Sequence, residues 1–127
     1  MTGQDRVVRK RILLVDDQPE VRETLKVLLE IDEHTVTEAA DGRQALGLYQ
    51  PGLYDLVITD YAMPHMRGDE LAARVKAMAP SQPVLMVTGS AENSSGVGIG
   101  VDAILYKPFR FDALRQTVAQ LLSAIPA

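Results

Sequence analysis

Short apolar runs alternate with amphipathic segments along the chain, and this alternation most constrains the possible fold. Four runs have the length and composition of buried strands: Ile12 to Val15, Leu56 to Thr59, Val84 to Val87 and Ala103 to Tyr106. A weaker strand is predicted over Thr35 to Ala39. Because strands that alternate with helices form parallel sheets covered on both faces, we predict an α/β fold with right-handed crossovers.

The segments after these strands have the signals of helices. Pro19 suits a first helical turn, Asp41 is a candidate cap for the second helix, and Gly68 precedes the third. In the first and last helices the residues expected to face the core are Val21, Leu25, Leu28, Leu29, Leu114, Val118, Leu121 and Leu122. The glycine-rich and serine-rich stretch from Ser90 to Gly100 is instead predicted to be an irregular connection.

Composition narrows the possible functions. The 127 residues suit a single domain, which we expect to span 11–127 behind a solvated arm of residues 1–10. A formal net charge of -4 disfavours direct nucleic acid binding. The absence of cysteine excludes disulfides and thiolate metal sites and is consistent with a cytoplasmic location. No apolar run is long enough for membrane insertion.

Polar residues follow the predicted strands at the point where each strand ends. Asp16 and Asp17 end the first strand, Asp60 the third, Thr88 the fourth and Lys107 the fifth. Any one of these residues alone is more often a turn or cap residue. Because functional groups of doubly wound sheets gather beyond the carboxyl ends of the strands, the set of five indicates a site.

The acidic residues of this set favour a hard cation. Three carboxylates brought close together repel one another unless a cation lies between them. Oxygen ligands of this kind suit Mg²⁺, which also shares its coordination with phosphate oxygens. The two histidines, His34 and His65, are expected on the exposed surface and outside the site.

Four motifs occur in a fixed order: ILLVDDQ, VITDYAMPHMRGDEL, VLMVTGSA and LYKPF. In this combination the chain resembles the receiver domains of bacterial response regulators, from about Arg11 to the last helix. The resemblance implies a flavodoxin-like, five-stranded parallel sheet in the order 2-1-3-4-5, with helices on both faces. It also implies a phosphoacceptor signalling domain of a two-component system and not a metabolic enzyme.

The resemblance also implies a role for each site residue. Asp60 would accept the phosphoryl group from a histidine kinase or a histidine phosphotransfer protein. Thr88 and Lys107 would contact the phosphoryl oxygens, and the Lys107–Pro108 peptide would be cis. The implied Mg²⁺ ligands are Asp16, which acts largely through water, Asp17, Asp60 and the backbone carbonyl of Ala62.

One position departs from the family pattern. Ile104 stands where family members usually carry the Tyr or Phe that reports phosphorylation, and Tyr106 is not expected to take over that role. Ile104 and Ser90 are therefore the candidate switch residues, and the downstream partner stays unknown.

Three alternative interpretations agree less well with the sequence. A phosphorylation-independent receiver-like interaction module would usually have lost acidic or lysine positions, and none is lost here. An aspartyl-phosphate hydrolase would carry an Asp-x-Asp pattern where this chain has Asp16-Asp17-Gln18. A flavin-binding module would need backbone donors and hydroxyls in the turn after Val15, and this turn is acidic.

Overall fold

The computed structural model describes residues 10–89 and 100–123. The strands are β1 (Arg11–Val15), β2 (Thr35–Ala39), β3 (Leu56–Asp60), β4 (Val84–Thr88) and β5 (Ala103–Tyr106). The helices are α1 (Pro19–Ile31), α2 (Gly42–Leu48), α3 (Gly68–Met78) and α4 (Phe111–Ser123). No helix within these ranges combines the length and apolarity that a membrane span needs.

The strands form one parallel sheet in the order β2-β1-β3-β4-β5. The predicted fold class and strand order are therefore confirmed. The chain reverses its direction of travel across the sheet after β2, since β3 pairs with the other edge of β1. In an open α/β sheet the ligand site lies at the carboxyl ends of the strands beside such a reversal.

Side chains of the central strands alternate between two apolar cores. One core lies between the sheet and the helices α2 and α3, and it contains Leu13, Val57 and Leu71. The other lies between the sheet and the helices α1 and α4, whose core-facing residues are those expected from the sequence. Each fully buried aliphatic side chain stabilises the fold by about 1.5–3 kcal/mol. The sheet thus gives the strand ends a rigid support.

Two helix starts form as the sequence predicts. Pro19 occupies the start of α1, where its missing N–H has no helical partner to lose. Asp41 caps α2 by accepting a hydrogen bond from the Gln44 N–H at 2.7 Å. The Gln44 side chain in turn accepts one from the Ala40 N–H at 2.6 Å, which completes a reciprocal cap.

The predictions for the two histidines have different outcomes. The prediction that His34 is exposed is wrong, since only 9% of its surface is accessible; it lines a groove together with Lys10 and the α4 residue Arg115. His65 is exposed as expected. The predicted irregular connection from Ser90 lies outside the described residues as far as residue 99.

Candidate functional site

The carboxyl ends of the strands bring together the residues that the sequence singled out. Asp16 and Asp17 follow β1, Asp60 ends β3 and Lys107 follows β5. One carboxylate oxygen from each of the three aspartates lies within 4.8 Å of the others. The register of the sheet pairs Asp60 with Val87, so that Thr88 lies one residue beyond Asp60 on the neighbouring strand.

The acidic cluster is largely withdrawn from water. Asp16 is 1% exposed and Asp60 8% exposed, while Asp17 is partly exposed. Burial raises the pKa of Asp60, and the negative charges of Asp16 and Asp17 add to this rise. Lys107 and a hydrogen bond from the Tyr61 N–H act in the opposite direction on the same pKa. Ionised Asp60 is therefore held in a location that penalises its charge.

Lys107 is the cation nearest to this cluster. Its Nζ lies 3.6 Å from Asp16 Oδ2 and 3.7 Å from Asp60 Oδ2, which is ion-pair contact without a short hydrogen bond. The Lys107 N–H donates to the Thr88 carbonyl at 2.8 Å, so the backbone beyond β5 is fixed to the end of β4. The peptide bond between Lys107 and Pro108 is cis, as the resemblance implied.

The loop between β1 and α1 holds Asp16 at several points. Its N–H donates to the Ala39 carbonyl at 3.1 Å, and its Oδ1 accepts from the Gln18 N–H at 2.9 Å. Its backbone carbonyl accepts a hydrogen bond from Arg22 Nη1 at 2.7 Å. Sequence reasoning missed Arg22. Its spacing on α1 places it beside the apolar stripe of Val21 and Leu25, but no local signal reports its contact to the Asp16 carbonyl.

The loop after β3 presents Asp60. Its Oδ1 accepts a hydrogen bond from the Tyr61 N–H at 2.7 Å, which orients the carboxylate. Met63 and Met66 are buried and anchor the loop. Ala62, which lies between Tyr61 and Met63, is exposed.

Gly68 closes this loop against the end of β3. Its N–H donates to the Tyr61 carbonyl at 2.8 Å. A Cβ at position 68 would collide with the backbone carbonyl of Asp60. Glycine is thus required by close backbone approach.

The remaining predicted residues surround the cluster at different distances. Thr88 is fully buried at the end of β4, and a Cβ on the neighbouring Gly89 would have Lys107 Cβ 3.9 Å away, which leaves space beside Thr88. Ile104 lies within β5, partly buried and paired in register with Met86. Its role as a switch stays a prediction, and Ser90 lies outside the described residues.

The acidic cluster fits a hard divalent cation. Its donors are carboxylate oxygens, which Mg²⁺ prefers, and their mutual distance allows one ion to contact all three directly or through water. The raised pKa of Asp60 points the same way, because a cation would relieve the repulsion that contributes to the rise.

Comparisons with known proteins agree with this geometry. A family model described as the response regulator receiver domain matches residues 12–119. The sensor protein EvgS of Escherichia coli is 38% identical over 113 residues, which are 87% of this chain and 9% of EvgS. The transcriptional regulatory protein TcrA of Mycobacterium tuberculosis is 38% identical over 112 residues, covering 86% of this chain and 44% of TcrA. The chain thus spans less than half the length of either relative.

A solved structure gives the same result at the level of the fold. The response regulator TrrA of Thermotoga maritima, crystallised in complex with Mg²⁺–BeF, superposes with a TM-score of 0.83 at 35% identity. The alignment covers 89% of this chain and 99% of the TrrA chain.

Proposed function

The chain belongs to the response regulator receiver domain family, a family of signalling domains, and we propose on that premise that it accepts a phosphoryl group on Asp60 in a Mg²⁺-dependent reaction. The donor would be a histidine kinase or a histidine phosphotransfer protein. The observation that carries the proposal is the juxtaposition of a buried aspartate, two further carboxylates and Lys107 at the carboxyl end of the sheet.

The chemistry follows from the charges at the site. A carboxylate oxygen of Asp60 attacks the phosphorus, and a new O–P bond forms as the P–N bond of the donor phosphohistidine breaks. The donor imidazole leaves with the bonding electrons and takes a proton from solvent. Because a carboxylate is already nucleophilic, this transfer needs positioning and charge neutralisation and no general base on this chain. The Tyr61 N–H supplies part of the positioning by fixing Asp60 Oδ1.

Two residues would stabilise the charge that spreads over the phosphoryl oxygens. Lys107 contacts Asp60 at 3.7 Å and can turn its Nζ toward a phosphoryl oxygen once Asp60 is modified. Thr88, on the strand next to Asp60, would donate its hydroxyl to another of these oxygens. The space beside Gly89 gives a donor access to this side of the site.

Asp16, Asp17 and Asp60 would hold the Mg²⁺ ion together with the backbone carbonyl of Ala62. A bound Mg²⁺ supplies positive charge that screens the carboxylates from one another and from the incoming phosphoryl group. Asp16 already faces Lys107 and accepts from the Gln18 N–H, which favours its action through water.

The wider assignment is part of the same proposal. The receiver domain would span 11–127 behind an arm of residues 1–10, act in the cytoplasm and pass its signal to a downstream partner without contacting nucleic acid itself. The curated relatives are longer than this chain, so the effect of the signal depends on what this domain is joined to or binds.

The proposal is tested by incubating the protein with acetyl phosphate, with MgCl₂ or with EDTA, and measuring the intact mass. We expect one added phosphoryl group with MgCl₂ and none with EDTA. Asp60→Asn should abolish the addition, whereas Asp112→Asn, at an exposed ion pair on α4, should leave it unchanged. Failure of the folded wild-type protein to take up phosphate would instead favour a phosphorylation-independent interaction module.

A further inference from the structure

We propose that Arg22 is a positioning residue for the Mg²⁺ site, which it serves by clamping the backbone between Asp16 and Asp17. The inference rests on the proposed function, since it concerns the same metal site. Arg22 belongs to α1 and contacts neither Asp60 nor Lys107 through any described hydrogen bond or ion pair. It therefore acts through another residue.

The guanidinium of Arg22 bridges the ends of two neighbouring strands. Nη1 donates to the Asp16 carbonyl at 2.7 Å, just beyond β1, and Nε donates to Glu38 Oε1 at 3.1 Å, in β2. The side chain is 20% exposed and that of Glu38 31% exposed, so the bridge is partly shielded from water. Arginine suits this role because its planar fork offers several donors in fixed directions.

The carbonyl that Arg22 holds belongs to the peptide joining the two acidic residues. Rotation about the Cα–C bond of Asp16 would swing this peptide, move the Cα of Asp17 and turn its carboxylate away from the cluster. Asp16 itself is also held through its N–H by Ala39 and through Oδ1 by Gln18. Arg22 adds a contact to the carbonyl oxygen of Asp16, which belongs to the peptide that leads into Asp17.

Simple electrostatics makes the opposite prediction for this residue. Arg22 is a cation close to a site for cations, so loss of its charge alone would strengthen Mg²⁺ binding. Loss of the clamp would weaken it, because groups that orient metal ligands typically contribute 10-fold or more to affinity. The sign of the change in the dissociation constant therefore separates the two roles.

Lys26 provides a matched control on the same helix. It lies one turn beyond Arg22 and pairs with the same Glu38, Nζ to Oε2 at 3.3 Å. Its described contacts do not include Asp16. Lys26→Ala thus removes a positive charge and one ion pair of Glu38 while the hydrogen bond to the Asp16 carbonyl stays in place.

The test measures MgCl₂ binding to the wild type and to Arg22→Ala, Arg22→Lys and Lys26→Ala by isothermal titration calorimetry. We expect the dissociation constant to rise about tenfold in Arg22→Ala and to change less than about twofold in Lys26→Ala, as for a partly exposed ion pair. Arg22→Lys keeps the charge but loses the fork, and its dissociation constant should also rise.

A kinetic measurement separates positioning from general loss of structure. With acetyl phosphate as the donor, Arg22→Ala should need about tenfold more Mg²⁺ for half-maximal labelling, while the rate at saturating Mg²⁺ stays near that of the wild type. Mg²⁺ binding by Arg22→Ala that is equal to or tighter than that by Lys26→Ala would overturn the inference. If Arg22→Ala does not fold, unchanged Mg²⁺ affinity in Arg22→Lys would overturn it instead.

The two proposals can fail separately. Wild-type labelling of Asp60 together with unchanged Mg²⁺ affinity in the Arg22 variants would reject only the role of Arg22. Weakened Mg²⁺ binding in these variants, with no labelling of the folded wild type, would support the clamp and reject the phosphoacceptor function.

Discussion

The two ends of the sheet treat acidic residues in opposite ways. At the amino ends of the strands, Asp102 accepts from the Lys76 ammonium at 2.6 Å and from the Val84 N–H at 2.7 Å. Asp32 accepts two hydrogen bonds from Arg115. At the carboxyl ends, Asp16 and Asp60 of the acidic cluster face Lys107 at 3.6 and 3.7 Å.

This difference separates acids whose charge is paired at close range from acids whose charges repel one another. A carboxylate that accepts short hydrogen bonds from a charged partner is stabilised in its ionised form. A buried carboxylate among like charges has a net penalty in the folded protein, which a bound cation can remove. Substitutions of the acidic residues at the two ends should therefore change stability with opposite signs.

The largest expected effect concerns the backbone contact beneath the site. Gly68→Ala places a Cβ against the Asp60 carbonyl, so we expect a loss of about 2–3 kcal/mol in the free energy of unfolding and weakened phosphorylation. Chemical denaturation measures the first and acetyl phosphate labelling the second. Gly47→Ala, in an open part of α2, should instead gain about 0.5 kcal/mol. Equal stability of the two variants would show that the close approach is not needed.

An intermediate loss is expected at the amino ends. Asp102→Ala leaves the Val84 N–H without its acceptor at a buried strand end and should cost about 1–2 kcal/mol in urea denaturation. Lys76→Ala removes only the partly exposed ion pair and should cost about 0.5 kcal/mol or less. If Lys76→Ala is as destabilising as Asp102→Ala, the backbone bond does not carry the effect.

The carboxyl end should respond to acid removal with a gain. The folded protein binds the Asp60 proton more readily than the unfolded chain does, because the pKa of Asp60 is raised above 3.8. The stability that this proton contributes is full below that value and is lost as the pH rises through the raised pKa. Without metal, Asp60→Asn should therefore melt higher than the wild type at neutral pH, and the difference should narrow on acidification. Addition of MgCl₂ should raise the melting temperature of the wild type more than that of the variant. A lower metal-free melting temperature for Asp60→Asn would contradict the contrast between the ends.

The smallest effect concerns His34, at the amino ends. Burial lowers its pKa below 6.5, and its Nδ1 has no hydrogen-bond partner among the described residues. The unfolded chain binds the proton more readily, so stability is full above pH 6.5 and declines as the pH falls toward the lowered pKa. His34→Gln should flatten this decline in thermal melts at several pH values. His65→Gln, at an exposed histidine, should leave the decline as it is.

The strands and helices were predictable because their signals are local. Apolar runs, Pro19 and the Asp41 cap report on their own neighbourhoods, and their elements form where expected. The sequence also predicted that Asp16 and Asp60 would come close together, since the ends of parallel strands meet at one edge. The order of the strands came from the family resemblance, because periodicity does not say which strands are neighbours.

The features that were missed depend on contacts that local sequence patterns do not report. His34 lines a groove whose other residues include two that are far from it in sequence, Lys10 before β1 and Arg115 on α4. Arg22 contacts the Asp16 carbonyl because the start of α1 lies beside the end of β1. Hydrophobic spacing predicts the helix but does not predict this contact of one side chain. Gly68 is required because a Cβ there would collide with the Asp60 carbonyl, a contact that the sequence pattern does not report.

The central claim is that Asp60 is the residue that accepts the phosphoryl group. Its most direct test is to phosphorylate the protein with acetyl phosphate and Mg²⁺, reduce the acyl phosphate with borohydride and map the peptides by mass spectrometry. The reduction converts a phosphorylated aspartate to homoserine, which marks the site permanently. We predict homoserine at position 60 alone, and none when Mg²⁺ is replaced by EDTA. Homoserine at another aspartate, with Asp60 unchanged, would contradict the account.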